Sequence, residues 1–408
     1  MKLIGMAWRN LLRQKRRTLV TLSALIVGVC GVVVFQGYIV SLMTAFRDST
    51  IRAGIGHLQI AQDPRYFEDG EFNPYAYIGA GGDTLVASLS REKGVTAAFP
   101  STGFTAIAGK GDKSVTLLVK GYPPQRMFFS PAGGRGDAPT DRFALGTLVS
   151  GSPLEPGQKN GIVLGETAAR ILDARPGSVI TLMAVLPNGG LGGRDFTVAG
   201  VYRSPGQDKI FSFTDYDTAA DFTGIHGAPV VHVIADSVAD ADAIAARLPA
   251  GRTVRTWHDL ATFYVQANTM FNGFLTVIRA IILLVTLFIM ANTMNKVVLE
   301  RMKEWGTLRA IGMKKARIVL LVVLEGCLQG VVGAAIGSAL GFGVAALLNL
   351  HGGLPYLRDQ SVVIVRLAPT LSSVWRNLVP AALFAGIASF LPGLRAVRLT
   401  PSECLRQI

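Results

Sequence analysis

Hydrophobic positions fall along this chain in two regimes. Four stretches are apolar almost without interruption: Thr18–Val40, Phe274–Met294, Ile318–Leu350 and roughly Val374–Leu394. A bilayer's hydrocarbon core takes about 20 apolar residues of helix. The pattern therefore predicts spans over 18–40, 271–294, 318–350 and 373–394. The third is longer than one crossing needs, which predicts a tilted or projecting helix. Between the first two spans, residues 41–270 follow short periods instead. Alternation predicts strands at His57–Ala61, Thr105–Ala108, Ser114–Lys120, Gly161–Leu164, Ser178–Met183, Phe196–Tyr202 and Val230–Ile234. Three- and four-residue spacing predicts helices at Leu85–Lys93, Glu166–Leu172 and Val238–Leu248. The expected fold class is a membrane protein of four transmembrane α-helices, with a large α+β domain inserted between helices 1 and 2.

The segments joining the spans are uneven. Residues 351–372 form a short loop, 395–408 a tail, and 295–317 a charged connection holding seven Lys/Arg against Glu300 and Glu304. Within that connection Val298, Met302, Trp305, Leu308 and Ile311 recur at helical spacing, and Gly312 offers a helix stop. An amphipathic helix between two spans touches either the membrane surface or a partner; the composition also fits a solvated loop that merely sets topology. Residues 1–17 place Lys2, Arg9, Arg13, Lys15, Arg16 and Arg17 around Ile4, Trp8, Leu11 and Leu12. That pattern predicts an amphipathic helix on the bilayer surface, its cations toward anionic lipid. The apolar run after it is too long for a signal-peptide core, so an uncleaved first span is expected.

Charge sorts by segment. The net charge is +13, but residues 41–270 hold 20 Lys/Arg against 22 Asp/Glu, a net of −2. The basic excess sits in the membrane part, where the preference of Lys/Arg-rich loops for the cytoplasm explains it, and nucleic-acid binding gains no support. The same rule predicts both termini and the 295–317 connection inside, with 41–270 outside. All three cysteines, Cys30, Cys327 and Cys404, fall in spans or tail, so no disulfide framework is expected outside. The five histidines match no metal spacing. A phosphate cradle would read G-x-x-x-x-G-K-[ST]; Gly109-Lys110 is followed by Gly111 and preceded five positions back by Phe104, so both flanks fail. The chain is expected to be neither an ATPase nor another enzyme, and to hold no cofactor or metal of its own.

Inside the third span Gly333, Gly337 and Gly341 stand four apart, a spacing that lets helix backbones approach. Glu325 is an ionisable residue in an apolar helix and calls for a partner; Arg279 in the second span is one candidate, and a position near the inner headgroups is the other.

The run Glu300-Arg301-Met302-Lys303-Glu304-Trp305-Gly306-Thr307-Leu308-Arg309-Ala310-Ile311-Gly312 resembles the "ER..EIG.LRA.G" signature of FtsX/MacB-like ABC-transporter permeases. It departs at Trp305, where an aliphatic residue is usual. The tail from Arg395 to Arg406 resembles the family's "A-x-R-x-x-P-x-E-x-L-R" ending, and LolC/LolE-type lipoprotein-releasing permeases are the most similar branch. The resemblance implies a permease subunit in a bacterial inner membrane with a large periplasmic domain. It implies two ATPase subunits that bind ATP and magnesium, a second permease subunit, and a periplasmic cargo or adaptor. Glu300, Arg301, Glu304, Trp305, Gly306, Leu308, Arg309 and Gly312 would then couple to the ATPase. ATP-driven motion would act on a lipoprotein, peptide or amphiphile; the alternative is an FtsX-like signalling or scaffolding role that regulates an external enzyme. The resemblance further implies a β-rich subdomain inserted at about 141–221, its helix after Gly165-Glu166 leading into a barrel-like sheet, flanked by a porter-like α/β part.

Overall fold

The computed structural model describes residues 2–13, 15–70, 82–131, 139–204, 207–225, 227–248, 251–358 and 361–398. The chain divides into two compact units, Met1–Ala45 with Gln266–Ile408, and Phe46–Val265. In chain order, α1 (Lys2–Arg13) precedes the long α2 (Lys15–Thr50) and a wide turn at Ile51–Ile55. There follow β1 (Leu58–Ala61), α3 (Tyr66–Asp69), α4 (Gly82–Leu89), β2 (Val95–Lys110), β3 (Lys113–Tyr122), β4 (Met127–Pro131) and β5 (Phe143–Gly151). Next come β6 (Gly161–Gly165), α5 (Glu166–Leu172), β7 (Val179–Val185), β8 (Leu191–Arg203), β9 (Phe211–Asp215) and α6 (Tyr216–Thr223). This unit ends with β10 (Val230–Ala235), α7 (Asp240–Arg247), β11 (Thr253–Thr256) and α8 (Trp257–Leu260). The chain continues through α9 (Thr262–Glu300), α10 (Met302–Ala310), α11 (Lys315–Leu350), β12 (Leu354–Arg358), β13 (Ser361–Val365) and α12 (Leu371–Arg398).

In the Phe46–Val265 unit, alternation along the strands builds a closed barrel. Strands β2, β3, β9, β6, β8 and β7 pair in turn, and β7 returns to β2. Ile180, Leu182 and Ala184 point into the barrel while Val179, Thr181, Met183 and Val185 point out, the period of two that a half-buried strand requires. Phe104, Leu117, Ile162, Leu164 and Phe196 fill the interior, and α5 and α6 close it with Ala168, Leu172, Ala219 and Phe222. The hairpin turn after Lys110 uses Gly111 at φ +63°, so the Gly-Lys-Gly sequence serves a turn. On the other side β11, β1, β10 and the first half of β2 form an open antiparallel sheet, covered by Leu85 and Leu89 of α4 and by Ala241 and Ile244 of α7.

The barrel does not respect the expected limits of 141–221. Strand β2 is 16 residues long; its first half pairs with β10 and its second with β3 and β7. One strand thus belongs to both sheets, and β2 and β3 enter the barrel from outside the predicted insert. Strands β4, β5, β9 and β11 and helix α6 also lay outside the expected set. They are short or glycine-interrupted, and their pattern is indistinct until partners are known.

Among the described residues four helices are long and apolar enough to cross a membrane: Leu22–Ile55, Thr262–Glu300, Lys315–Leu350 and Leu371–Val397. They outrun the apolar limits read from sequence. Helix α2 has 36 residues, about 54 Å at about 1.5 Å per residue, against a hydrocarbon core of about 30 Å. Residues 41–50 and 262–271 contain neither Gly nor Pro, so nothing in the chain stops either helix where hydropathy falls. The expected loop 351–372 holds the β12–β13 hairpin.

Candidate coupling site

The connection between the second and third spans is two helices. Helix α9 ends at Glu300, Arg301 leaves helical geometry at φ −100° and ψ 20°, and α10 begins at Met302. At its far end the Gly312 N–H donates to the Arg309 carbonyl (3.0 Å) and the Met313 N–H to the Leu308 carbonyl (3.0 Å). With Gly312 at φ +97° this is a Schellman stop, which a side chain bearing Cβ would strain. Leu308 and Met313, the pair that commonly touch in such a stop, both pack on the same apolar cluster.

That cluster fixes the helix. Trp305 is 1% exposed and lies among Ala7 of α1, Val298 of α9, Ile318, Leu321 and Val322 of α11, and Ala396 and Val397 of α12. Five helices therefore meet around one indole. Burying a side chain of that size contributes several kcal/mol, since truncating a buried Trp to Ala costs about 3–5 kcal/mol. Within this chain the Trp305 indole is an internal anchor, and Gly306 beside it is buried too. Ile311, at the same helical spacing in the sequence, is 79% exposed because the Schellman turn swings it off the buried face.

Arg301 is drawn inward as well. Its guanidinium lies 4.8 Å from the Trp305 ring centroid, with Nε 2.7 Å from Glu304 Oε2 and Nη1 3.5 Å from Glu325 Oε2. Its side chain is 11% exposed and that of Glu325 5%. Glu325 therefore finds its partner at the loop end of its span. Arg279, the partner suggested from sequence, donates instead to Gln36 Oε1 at 3.4 Å. Sequence position alone did not reveal this pair, because Arg301 lies past the end of the second apolar run whereas Glu325 lies two turns inside the third. Arg309 Nη1 donates to the Val397 carbonyl at 3.5 Å, and Arg395 Nη1 to Asn295 Oδ1 at 2.9 Å. Glu300, Lys303, Glu304, Thr307, Ile311 and Gly312 are left on the outside.

The glycines of α11 divide between two neighbours. A Cβ on Gly333 would come 2.6 Å from Leu25 Cδ2, one on Gly337 2.8 Å from the Ile26 carbonyl oxygen, and one on Gly341 2.7 Å from Val33 Cβ. All three contacts are with α2. Gly326 and Gly330 face α12, where a Cβ would come 2.8 Å and 2.6 Å from the Ala385 and Ala381 carbonyl oxygens.

Comparison with known proteins matches this arrangement part by part. The MacB-like periplasmic core domain matches residues 18–250, and the FtsX-like permease C-terminal domain matches 276–401, the stretch that carries α10 and its cradle. The chain belongs to the FtsX/MacB-like family of ABC-transporter permeases. A curated relative, an uncharacterized ABC transporter permease of Mycobacterium tuberculosis, is 27% identical over 186 residues, which is 43% of this chain and 21% of that protein. The match thus spans about a fifth of the relative's length. Among solved structures, the periplasmic region of MacB from Actinobacillus actinomycetemcomitans has 16% identity and a TM-score of 0.35, covering 52% of this chain and 94% of that one. The extracellular domain of YknZ, described as a noncanonic ABC-type transporter from Gram-positive bacteria, has 13% identity and a TM-score of 0.32, covering 43% and 89%.

Proposed function

We propose that this chain is the membrane subunit of a transporter driven by a separate ATPase, and that α10 receives the ATPase's motion. The observation that supports it most directly is how α10 is held. A helix that merely connects two spans needs no buried tryptophan, no inward arginine and no contact with four other helices. Such a mounting converts a push on the exposed Lys303–Glu304–Thr307–Ile311 face into movement of α9, α11 and α12 together. Helices α2 and α9 would carry the movement outward; Arg279 meets Gln36 along them, and Phe46 meets Phe263 and Tyr264 at 5.8 Å and 5.9 Å.

In this reading both termini and α10 are cytoplasmic, the α+β unit is periplasmic, and the membrane is a bacterial inner membrane. Two ATPase subunits bring ATP and magnesium. A second permease subunit, alike or homologous, and the bilayer cover the apolar face of α9, where Phe274, Ile281 and Phe288 are 54%, 55% and 60% exposed. The cargo is a lipoprotein, peptide or amphiphile handled outside the membrane, handed on to an adaptor. The FtsX-like alternative, regulation of an external enzyme, uses the same coupling and differs only in what the outer unit acts on.

The test is co-purification of the full chain with its ATPase, followed by ATP hydrolysis in nanodiscs. We predict that Ile311→Asp, at a side chain that supports nothing in this chain, lowers ATPase recovery at least tenfold while leaving thermal stability unchanged. Trp305→Ala should lower both. Wild-type recovery for Ile311→Asp removes the proposed contact face. Turnover that responds to an external hydrolase and to no lipoprotein or peptide cargo selects the alternative.

A further inference from the structure

A polar layer crosses the apolar helix bundle at the end where α2 leaves it and α9 and α12 enter. Val33 of α2, Leu283 of α9 and Ala381 of α12 meet in one apolar cluster. One turn outward stand Gln36, Arg279 and Asn377, on the same helix faces because residues three and four apart are neighbours. Gln36 lies four residues inside the limit of its apolar run at Val40, Arg279 five inside Phe274, and Asn377 three inside Val374. At about 1.5 Å of rise per residue, all three sit about 4–8 Å within the apolar limit. An arginine stem spans that depth and brings its guanidinium to the level of lipid headgroups.

This layer offers more donors than it satisfies. Arg279 Nη2 donates to a neutral acceptor, Gln36 Oε1, at 3.4 Å, and its Nε is buried without a hydrogen-bond partner. Asn377 is 5% exposed, and its Nδ2 is buried without a partner as well. Arg376, exposed beside Asn377, is close enough for its charge to bear on the Arg279 guanidinium. Two like charges and two unfilled donors at the end of an apolar bundle are unfavourable alone, and a single anionic acceptor offsets both.

Depth and chemistry together narrow the occupant. A phosphodiester presents its free oxygens to two guanidiniums at once, in charge-assisted bonds. A zwitterionic headgroup would bring a third cation to the same place, so the fitting headgroup is an anionic one. Free phosphate would gain nothing from the apolar surface below, where Val277 and Leu284 of α9 and Val379 and Leu383 of α12 are exposed. These two helices are neighbours, sharing the cluster of Met290, Met294, Ala385 and Ala388. We propose that Arg279, Arg376 and Asn377 bind the phosphodiester of an anionic phospholipid from the leaflet at this end of the bundle, its acyl chains lying along α9 and α12. The proposal rests on the four spans and is independent of the coupling role of α10.

Native mass spectrometry of the full chain in detergent, titrated with dioleoyl phosphatidylglycerol, tests it. The wild-type chain should retain one phosphatidylglycerol that Arg376→Gln releases, an affinity loss of at least tenfold at that site while lipids held elsewhere stay bound. Dioleoyl phosphatidylcholine should not fill the site, and millimolar inorganic phosphate should not empty it. Asn377→Leu is the sharper variant, because it should act in opposite directions. Without lipid it melts at a higher temperature than wild type, and phosphatidylglycerol raises that temperature by less. Equal retention by wild type and Arg376→Gln overturns the proposal, as does equal filling by phosphatidylcholine. Displacement by inorganic phosphate would make this a free-anion site and overturn the lipid assignment. A lower melting temperature for lipid-free Asn377→Leu would mean that the amide already has its partner within the chain, and the proposal would fall.

Discussion

Helix α11 carries an internal control for its own packing. At Gly337 an added Cβ would come 2.8 Å from the Ile26 carbonyl oxygen and 2.9 Å from Val29 Cβ, both on α2. At Gly343, six residues along the same helix, it would meet nothing within 4 Å. Contacts under 3.0 Å to a backbone carbonyl and a branched Cβ cannot be relieved by one rotamer change, so α2 and α11 must separate by several tenths of an ångström. Separation also loosens Gly333 and Gly341, which sit on the same face. Overpacking of this kind costs about 1–3 kcal/mol. The intrinsic helix preference of Ala over Gly, about 1 kcal/mol, acts in the other direction and is the same at both sites. We predict that Gly343→Ala leaves the protein as stable or stabilises it by about 1 kcal/mol. Gly337→Ala should be destabilised by up to about 2 kcal/mol net, and so fall about 1–3 kcal/mol below Gly343→Ala, and Gly337→Leu by more. Reversible unfolding in mixed micelles, followed by circular dichroism, measures the difference directly. Equal stabilities for Gly337→Ala and Gly343→Ala would show that α2 and α11 do not pack as described.

Two further perturbations probe the charged and titratable groups. Arg301→Met leaves Glu325 buried beside an apolar side chain and should cost about 3–5 kcal/mol, as loss of one partner of a buried pair does. Arg301→Met with Glu325→Leu should recover most of that loss, and a double variant no more stable than the single one would argue against the pairing. His232 gives the Phe46–Val265 unit a pH dependence: its folded pKa of about 3 lies below the ordinary value of 6.5. Below pH 6.5 the unfolded chain takes up a proton that the folded protein refuses until about pH 3. Stability should therefore fall as pH drops through that window, by up to about 1.4 kcal/mol per unit. His232→Gln should flatten this dependence between pH 6.5 and pH 5, read from thermal unfolding in nanodiscs; equal slopes for both proteins would contradict it.

What the sequence determined by itself was whatever depends on local composition. Apolar runs long enough to span a bilayer predicted four helices, because a helix satisfies its backbone polar groups within one continuous segment. Alternation marked the strands that keep one face in the barrel, Val179–Val185 among them, and the helix Glu166–Leu172 was legible to the residue. Gly312 announced its stop, since a left-handed residue there has few substitutes. The sequence was silent wherever a residue's meaning depends on a distant partner. Trp305 and Ile311 lie on one face of an ideal helix, and only the assembly of α1, α9, α11 and α12 buries the first and leaves the second outside. Nothing local in β2 says that its two halves serve different sheets. Glu325 needed a cation, but choosing Arg301 over Arg279 required the depths of two antiparallel helices. The glycines of α11 promised close packing, and which of them faces α2 and which faces α12 was decided by the crossing of three helices. Local preference is carried by each residue alone, whereas burial and pairing are properties of the surfaces that folding brings together.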